Sequence, residues 1–231
     1  MLELKSIAVQ VKDRRAIAGV NWVAGVGSWE PEISAEIDKL LDWVEDTAPV
    51  DVLVFRPEGT TPRAQPPTID QCRRWEKLVV RLDGLECLSV AALHGPCTRA
   101  WMQLALACDL RVATRPSSLQ ILELKEGYLP GMNMFRLAKY LGLGTARRLL
   151  FTGAEVSASQ AASLGLVDEL CDDLDSGLER LLKAVEPVHP VPLRITRRLL
   201  NESFATAFED FMGQYLASQN RCLGDLKRDG S

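Results

Sequence analysis

The spacing of hydrophobic positions changes period several times along this chain, and each change predicts an element. Residues 5–11 and 15–21 alternate apolar and polar side chains, the two-residue period of half-buried strands, and Asp13-Arg14 between them predicts a turn. Over 28–46 the period lengthens: Ile33, Ile37, Leu40, Leu41 and Val44 recur at helical spacing, with Ser28 or Pro31 near the start. A short apolar run at 50–55 predicts a buried strand, and the Pro, Gly and Thr of 56–67 predict a loop. Helix signals follow at 69–82, a strand at 89–93, a helix at 99–107 and a strand at 110–113. This strand, helix, strand rhythm implies an α/β fold. From about residue 132 helical segments dominate through to 219, apart from a short run at 166–170. The prolines of EPVHPVP, residues 186–192, interrupt those helices, dividing the chain into a mixed core, 1–186, and a helical region, 187–231. Strand-strand-helix units recur about every 40–50 residues, which fits a spiral of repeated turns, although the copies share no matching side chains.

Charge and composition remove several function classes. A net charge of −4 and a pI near 5.4 provide no field that would gather nucleic acid or an anionic membrane. The first twenty residues carry charges throughout and lack a signal peptide's apolar core, and no apolar run approaches about 18 residues. A cytoplasmic protein is the expectation. The six cysteines are scattered, with no C-x-x-C pair and no His/Cys spacing of a zinc site, so reduced thiols and no metal are expected. Cys97 and Cys108 lie in an apolar stretch and read as small buried hydrophobes rather than nucleophiles. No G-x-S-x-G is present, which leaves a nucleophilic hydrolase without support. Only His94 and His189 offer an imidazole, and His189 sits among prolines, a poor place for a precisely held base.

Three blocks carry a more specific signal: LHGPCTRAWMQLALACDL at 93–110, LELKEGYLPG at 122–131 and FTGAEVSASQAASLGLV at 151–167. In order and spacing they resemble the central half of the crotonase, or enoyl-CoA hydratase/isomerase, superfamily. The resemblance implies a spiral of ββα units and a helical C-terminal trimerisation region. It further implies acyl-thioester substrates, carried on CoA or phosphopantetheine with no separate cofactor, whose enolate is held by two backbone amides. The physical logic stands beside the name. A thioester enolate concentrates charge on one oxygen, and preorganised N–H groups at a helix N-terminus are suited to meet it.

Mapped onto this chain, the resemblance makes Ala100 one amide donor, a role that needs only a backbone N–H. Glu123 matches the carboxylate that exchanges a proton at the acyl α-carbon. An unpaired carboxylate between Leu122 and Leu124 either stays exposed or has its pKa raised by burial, as acid/base work near neutral pH requires. Gln103 stands where hydratases place a second glutamate; an amide cannot act as a base, but it can hydrogen-bond a water or hydroxyl. Arg99 and Trp101 replace small residues and should narrow the pocket, Arg99 meeting a substrate phosphate or carboxylate or else lying exposed. His94, where the family commonly has asparagine, reads as a hydrogen-bonded structural residue. Gly127 and Gly131 serve the GYLPG turn, Gly131 at the substrate side, and Asp168-Glu169 read as a surface acidic pair.

The match stops short elsewhere. The small-residue loop that supplies the second amide is replaced by FRPEGTTPRAQPP, residues 55–67, with Gly59 or Thr60 the candidate donors. The run NWVAGVGSWEP, residues 21–31, lacks the family's CoA-contacting pattern. These departures point to a specialised member, resembling auxiliaries of polyketide pathways such as that of dihydroxyphenylacetyl-CoA, or enzymes of carrier-bound substrates. Arg63, Arg73, Arg74, Arg194, Arg197 and Arg198 could meet an acidic carrier protein or a CoA phosphate, or simply be solvated helix surface. Two expectations follow. One is a lyase or isomerase with a single catalytic glutamate, trimeric or hexameric, dehydrating or isomerising an acyl thioester. The other is a decayed fold-mate that binds or stabilises another pathway enzyme.

Overall fold

In the computed structural model, residues 4–12, 14–21, 31–46, 50–58 and 66–229 are described. Two compact units divide at residue 183/184. The first begins with the expected hairpin, β1 (Ile7–Lys12) antiparallel to β2 (Arg15–Asn21), with Arg14 at positive φ in the turn. Helix α1 (Pro31–Asp46) buries Ile33, Ile37, Leu40, Leu41 and Val44, the predicted stripe. Then come β3 (Val52–Glu58), α2 (Ile69–Gly84), β4 (Leu88–Leu93), β5 (Pro96–Thr98) and α3 (Arg99–Ala107). After α3 the chain continues through β6 (Leu110–Thr114), β7 (Ser118–Gln120), α4 (Asn133–Thr152), β8 (Val156–Ser157), α5 (Ala158–Ser163), β9 (Glu169–Cys171) and α6 (Leu174–Val185).

Two sheets share these strands. Six form the order β1-β2-β3-β4-β6-β9, parallel from β2 onward, and β5-β7-β8 form a second, smaller sheet. The chain alternates between them: β4 leads into β5 and β6 into β7, one strand laid in each sheet before a helix closes the turn. Helix α3 occupies the centre. All nine of its residues are buried, as expected for a helix apolar on nearly every side.

The sequence pattern and the structure differ in instructive places. β3 runs through Pro57 into the stretch expected to be a loop, because pairing with β2 continues to Glu58 while pairing with β4 ends at Phe55. Proline's missing N–H is tolerated past that last pair. The apolar run at 166–170 is not itself a strand: Leu166 and Val167 plug the core, and β9 starts at Glu169. Strands β5, β7 and β8 have two or three residues each, too few to show a period.

Arg111 ties this core together. Its guanidinium donates to the carbonyls of Leu166 (2.7 Å), Cys108 (2.8 Å) and Ala105 (3.4 Å) and lies over the Tyr140 ring, while its backbone N–H donates to Asp168 (2.7 Å). Asp168 lies at the surface, as the sequence suggested, and also anchors this core through its bond to the Arg111 N–H. Glu169 pairs with Arg180. The second unit holds α7 (Pro190–Glu202) and α8 (Phe208–Asp229), and α8 exposes Phe208, Met212, Tyr215 and Leu216.

Replacing Arg111 by Leu would leave buried carbonyls without a donor. The unfolding free energy should fall by about 3 kcal/mol or more, read as a lower urea midpoint at unchanged slope.

Candidate active site

The site is assembled where β4 and β6 end. The Ser117 hydroxyl donates to the Leu93 carbonyl (3.1 Å), linking the two strand ends, and the short ladder Pro96↔Ser118, Cys97↔Leu119, Thr98↔Gln120 then carries both segments forward side by side. Ala100 follows Thr98 by two residues and Glu123 follows Gln120 by three, so the first turn of α3 and the Glu123 turn leave the same end of this parallel ladder. Thr98 is the N-cap residue but its side chain makes no cap hydrogen bond. The Ala100 N–H, in this first turn, has no intrahelical acceptor, as an oxyanion donor requires.

Glu123 has no exposed surface. Its Oε2 accepts from the Leu122 N–H (3.0 Å), whereas Oε1 is buried without a partner. Burial pushes its pKa up; its own backbone amide, Gln103 and the Leu122 N–H pull it back, and Glu126 adds to the rise. Gln103 is equally buried. Its Oε1 accepts from the Trp75 indole N–H (2.9 Å), which fixes the amide, and its Nε2 is left without a partner. Gln103 therefore faces Glu123 closely enough to favour its ionised form, while the pair makes no hydrogen bond of normal geometry.

Arg99 takes φ +53°, a left-handed conformation suited to glycine that costs another residue about 1 kcal/mol. A partly buried ion pair holds the side chain in place. The guanidinium grips both oxygens of Glu126, and the Tyr128 hydroxyl donates to the same carboxylate (3.1 Å). Arg99 is thus held inside the protein rather than exposed, and Trp101 is packed in the hydrophobic core. Gly131, at φ +54°, lies against the site: a Cβ there would collide with Glu76 Oε1 and stand 2.8 Å from Gln103 Oε1.

The remaining candidates fall elsewhere. His94 is exposed, its Nδ1 3.1 Å from the Thr114 hydroxyl, which belongs to the Thr114–Ser117 pair at the strand ends. Cys97 is fully buried against Met102 sulfur, and burial raises its thiol pKa, so it is no nucleophile. Gly59, Thr60 and Arg63 lie outside the described residues; β3 leaves the sheet at Glu58, beside the edge where β4 leaves at Leu93. Arg73 is exposed and pairs with Asp70, whereas Arg197 is buried rather than solvated. Among the described residues no group of His, Cys, Asp or Glu could hold a metal ion, and no helix is long and apolar enough to cross a membrane.

A sequence profile of the enoyl-CoA hydratase/isomerase family matches residues 68–229, which include Ala100, Gln103, Glu123 and Gly131. The chain belongs to the enoyl-CoA hydratase/isomerase family. It is 33% identical over 156 residues to an enoyl-CoA-hydratase of Amycolatopsis orientalis, covering 68% of this chain and 72% of that protein. It is 31% identical over 132 residues to the mitochondrial enoyl-CoA hydratase domain-containing protein 2 of Bos taurus, there spanning only 45% of the relative. Crystal structures of an enoyl-CoA hydratase/isomerase from Cupriavidus metallidurans (TM-score 0.86, 22% identity, 96% of this chain and 90% of that one) and an enoyl-CoA hydratase from Thermoplasma volcanium (0.85, 18%, 95% and 93%) share its fold. The profile begins after the first 67 residues, the part that holds the two runs lacking the family pattern. A hydratase/isomerase-like enzyme of acyl-CoA thioesters is what family membership supports.

The sequence did not single out Trp75, Glu76, Glu126 or Asn133. The apolar stripe of α2 marks Trp75, but its hydrogen bond to Gln103 joins residues 28 apart in sequence. Asn133 is buried at the start of α4 with neither amide atom partnered.

A raised carboxyl pKa means the folded state binds the proton more tightly than the unfolded one. Stability is therefore lost as pH rises from the ordinary value of 4.5 through the raised folded value, and stays level above it. Glu123→Gln should then be more stable than wild type at neutral pH, the gain shrinking toward acid pH. Urea midpoints across pH check this; a pH-independent difference would contradict it.

Proposed function

We propose that this protein converts an acyl thioester through an enolate, with Glu123 moving the α-proton and the Ala100 N–H holding the thioester oxygen. One observation carries the reading: a buried carboxylate with an unpartnered oxygen and a helix N-terminus without a side-chain cap follow from the same end of one short strand pairing. Burial keeps Glu123 basic enough to take a proton from a weakly acidic carbon, and the first-turn dipoles offset the charge that develops on the thioester oxygen. From the enolate, reprotonation further along the acyl chain migrates a double bond, and departure of a β-hydroxyl dehydrates a 3-hydroxyacyl thioester. Gln103, the amide in place of a second family glutamate, orients a hydroxyl or water but takes no proton from it.

The thioester is carried on CoA or on the phosphopantetheine of a carrier protein. The runs at 21–31 and 55–67, which lack the family's CoA-contacting and amide-donor patterns, favour a specialised biosynthetic member such as a polyketide-pathway auxiliary, in the cytoplasm. The exposed apolar stripe of α8 fits packing against further copies in a trimer or hexamer. A second reading, a catalytically decayed partner of another pathway enzyme, is favoured by Gln103 and by Arg99, paired with Glu126, standing where the family carries a small residue.

Incubation in heavy water with enoyl-, acyl- and 3-hydroxyacyl-thioesters of CoA and carrier protein separates the two. Deuterium should enter the α-carbon, and Glu123→Gln should slow that exchange by roughly 10²–10⁴-fold. Wild-type protein that exchanges no α-proton in any thioester would favour the decayed partner.

A further inference from the structure

The unpartnered buried polar atoms of the described residues are not scattered. They are Glu76 Oε2, Gln103 Nε2, Glu123 Oε1 and both amide atoms of Asn133, three of these residues meeting around Gly131 or following it by two positions. Glu76 comes from α2, an element outside the three resemblance blocks. Its Oε1 accepts from the Met132 N–H (3.1 Å), the residue that joins Gly131 to Asn133. Two turns further along α2, Asp83 accepts from Arg136 (2.6 Å), so one face of α2 is fastened to the first turn of α4 at both levels. That fastening leaves Glu76 Oε2 buried with no partner.

We infer that Glu76 is the second acid/base group of the site, acting on the hydroxyl or water at the acyl β-carbon. This rests on the thioester reading above and adds the proton step that Gln103 cannot supply. Gln103 Nε2 is an unused donor and Glu76 Oε2 an unused acceptor, while the other oxygens of these two groups both crowd the Cβ position of Gly131. A hydroxyl is the simplest group that accepts one hydrogen bond and donates another, and it satisfies both atoms at once. A methyl or methylene there would leave both orphaned.

In dehydration, Glu123 takes the α-proton and the electron pair passes to the thioester oxygen as an enolate. The enolate then forms the Cα–Cβ double bond as the Cβ–O bond breaks, and the leaving oxygen takes the proton of Glu76 to depart as water. Glu123 ends protonated and Glu76 ionised, and solvent exchange resets both. Hydration is the reverse: Glu76 takes a proton from water as its oxygen bonds Cβ, and Glu123 gives its proton to Cα. Burial, the largest influence on Glu76, raises its pKa against the Met132 N–H and Arg136, with Asp83 adding to the rise, which suits a proton donor at neutral pH.

The test follows two steps in one protein: α-proton exchange in heavy water, and loss or gain of water at Cβ, using straight-chain and aryl 3-hydroxyacyl-CoA and enoyl-CoA thioesters. Glu76→Gln should slow water loss about 10²-fold or more while α-exchange falls less than about tenfold, and Glu76→Asp should recover part of the loss. If the Gln variant does not fold, Glu76→Asp is read for the same split. Equal falls in both steps, or water loss unaffected by Glu76→Gln, overturn the inference. Wild-type protein that exchanges the α-proton yet never adds or removes water overturns it too, leaving the enolate reading standing. Absence of α-exchange in wild type removes both.

Discussion

A carboxylate with no exposed surface must be held in place by something other than its own partners, because desolvation alone favours its leaving the core or losing its charge. Here the holding is done by three ladder pairs between β5 and β7. They end at Thr98↔Gln120, from which the backbone turns into α3 on one side and into the compact turn containing Glu123 on the other. That turn is closed by N–H groups of Glu126 and Tyr128 donating to the Glu123 carbonyl (3.1 and 3.0 Å), so the backbone of Glu123 is fixed independently of its side chain. The alternation of the chain between two sheets brings those two short strands together.

The same constraint accounts for the costs the structure carries nearby. Arg99 stands in a conformation suited to glycine and is paired, partly buried, with Glu126, itself in the Glu123 turn. The ion pair therefore bridges the start of α3 and the Glu123 turn a second time, after the ladder. Removing either Arg99 or Glu126 would leave the other charge partly buried without its ionic partner. What looks in sequence like a departure from a small-residue loop is, in structure, a clasp across the site.

Much of this architecture was legible from residue patterns. The stripe Ile33, Ile37, Leu40, Leu41, Val44 and the bounds of α3 follow from periodicity, since a long buried face leaves a repeated mark. The three motif blocks placed Ala100, Gln103, Glu123 and Gly131, all of which lie in this one region. What stayed hidden was non-local or too short. β5, β7 and β8 are made by their neighbours rather than by local preference, and Glu76 and Trp75 enter the site only because α2 packs beside α3. A glutamate beside a tryptophan on an amphipathic helix carries no sign, in sequence, of which partner its second oxygen lacks.

The central claim is that the first turn of α3 and Glu123 together form a site that polarises a thioester carbonyl. Infrared difference spectra of a thioester carrying a ¹³C-labelled carbonyl, bound to the protein, read that directly. The carbonyl stretch should move to lower frequency on binding, and the shift should survive in Glu123→Gln, whose backbone donors are intact. A bound thioester whose carbonyl stretch stays at its value in water would contradict the account.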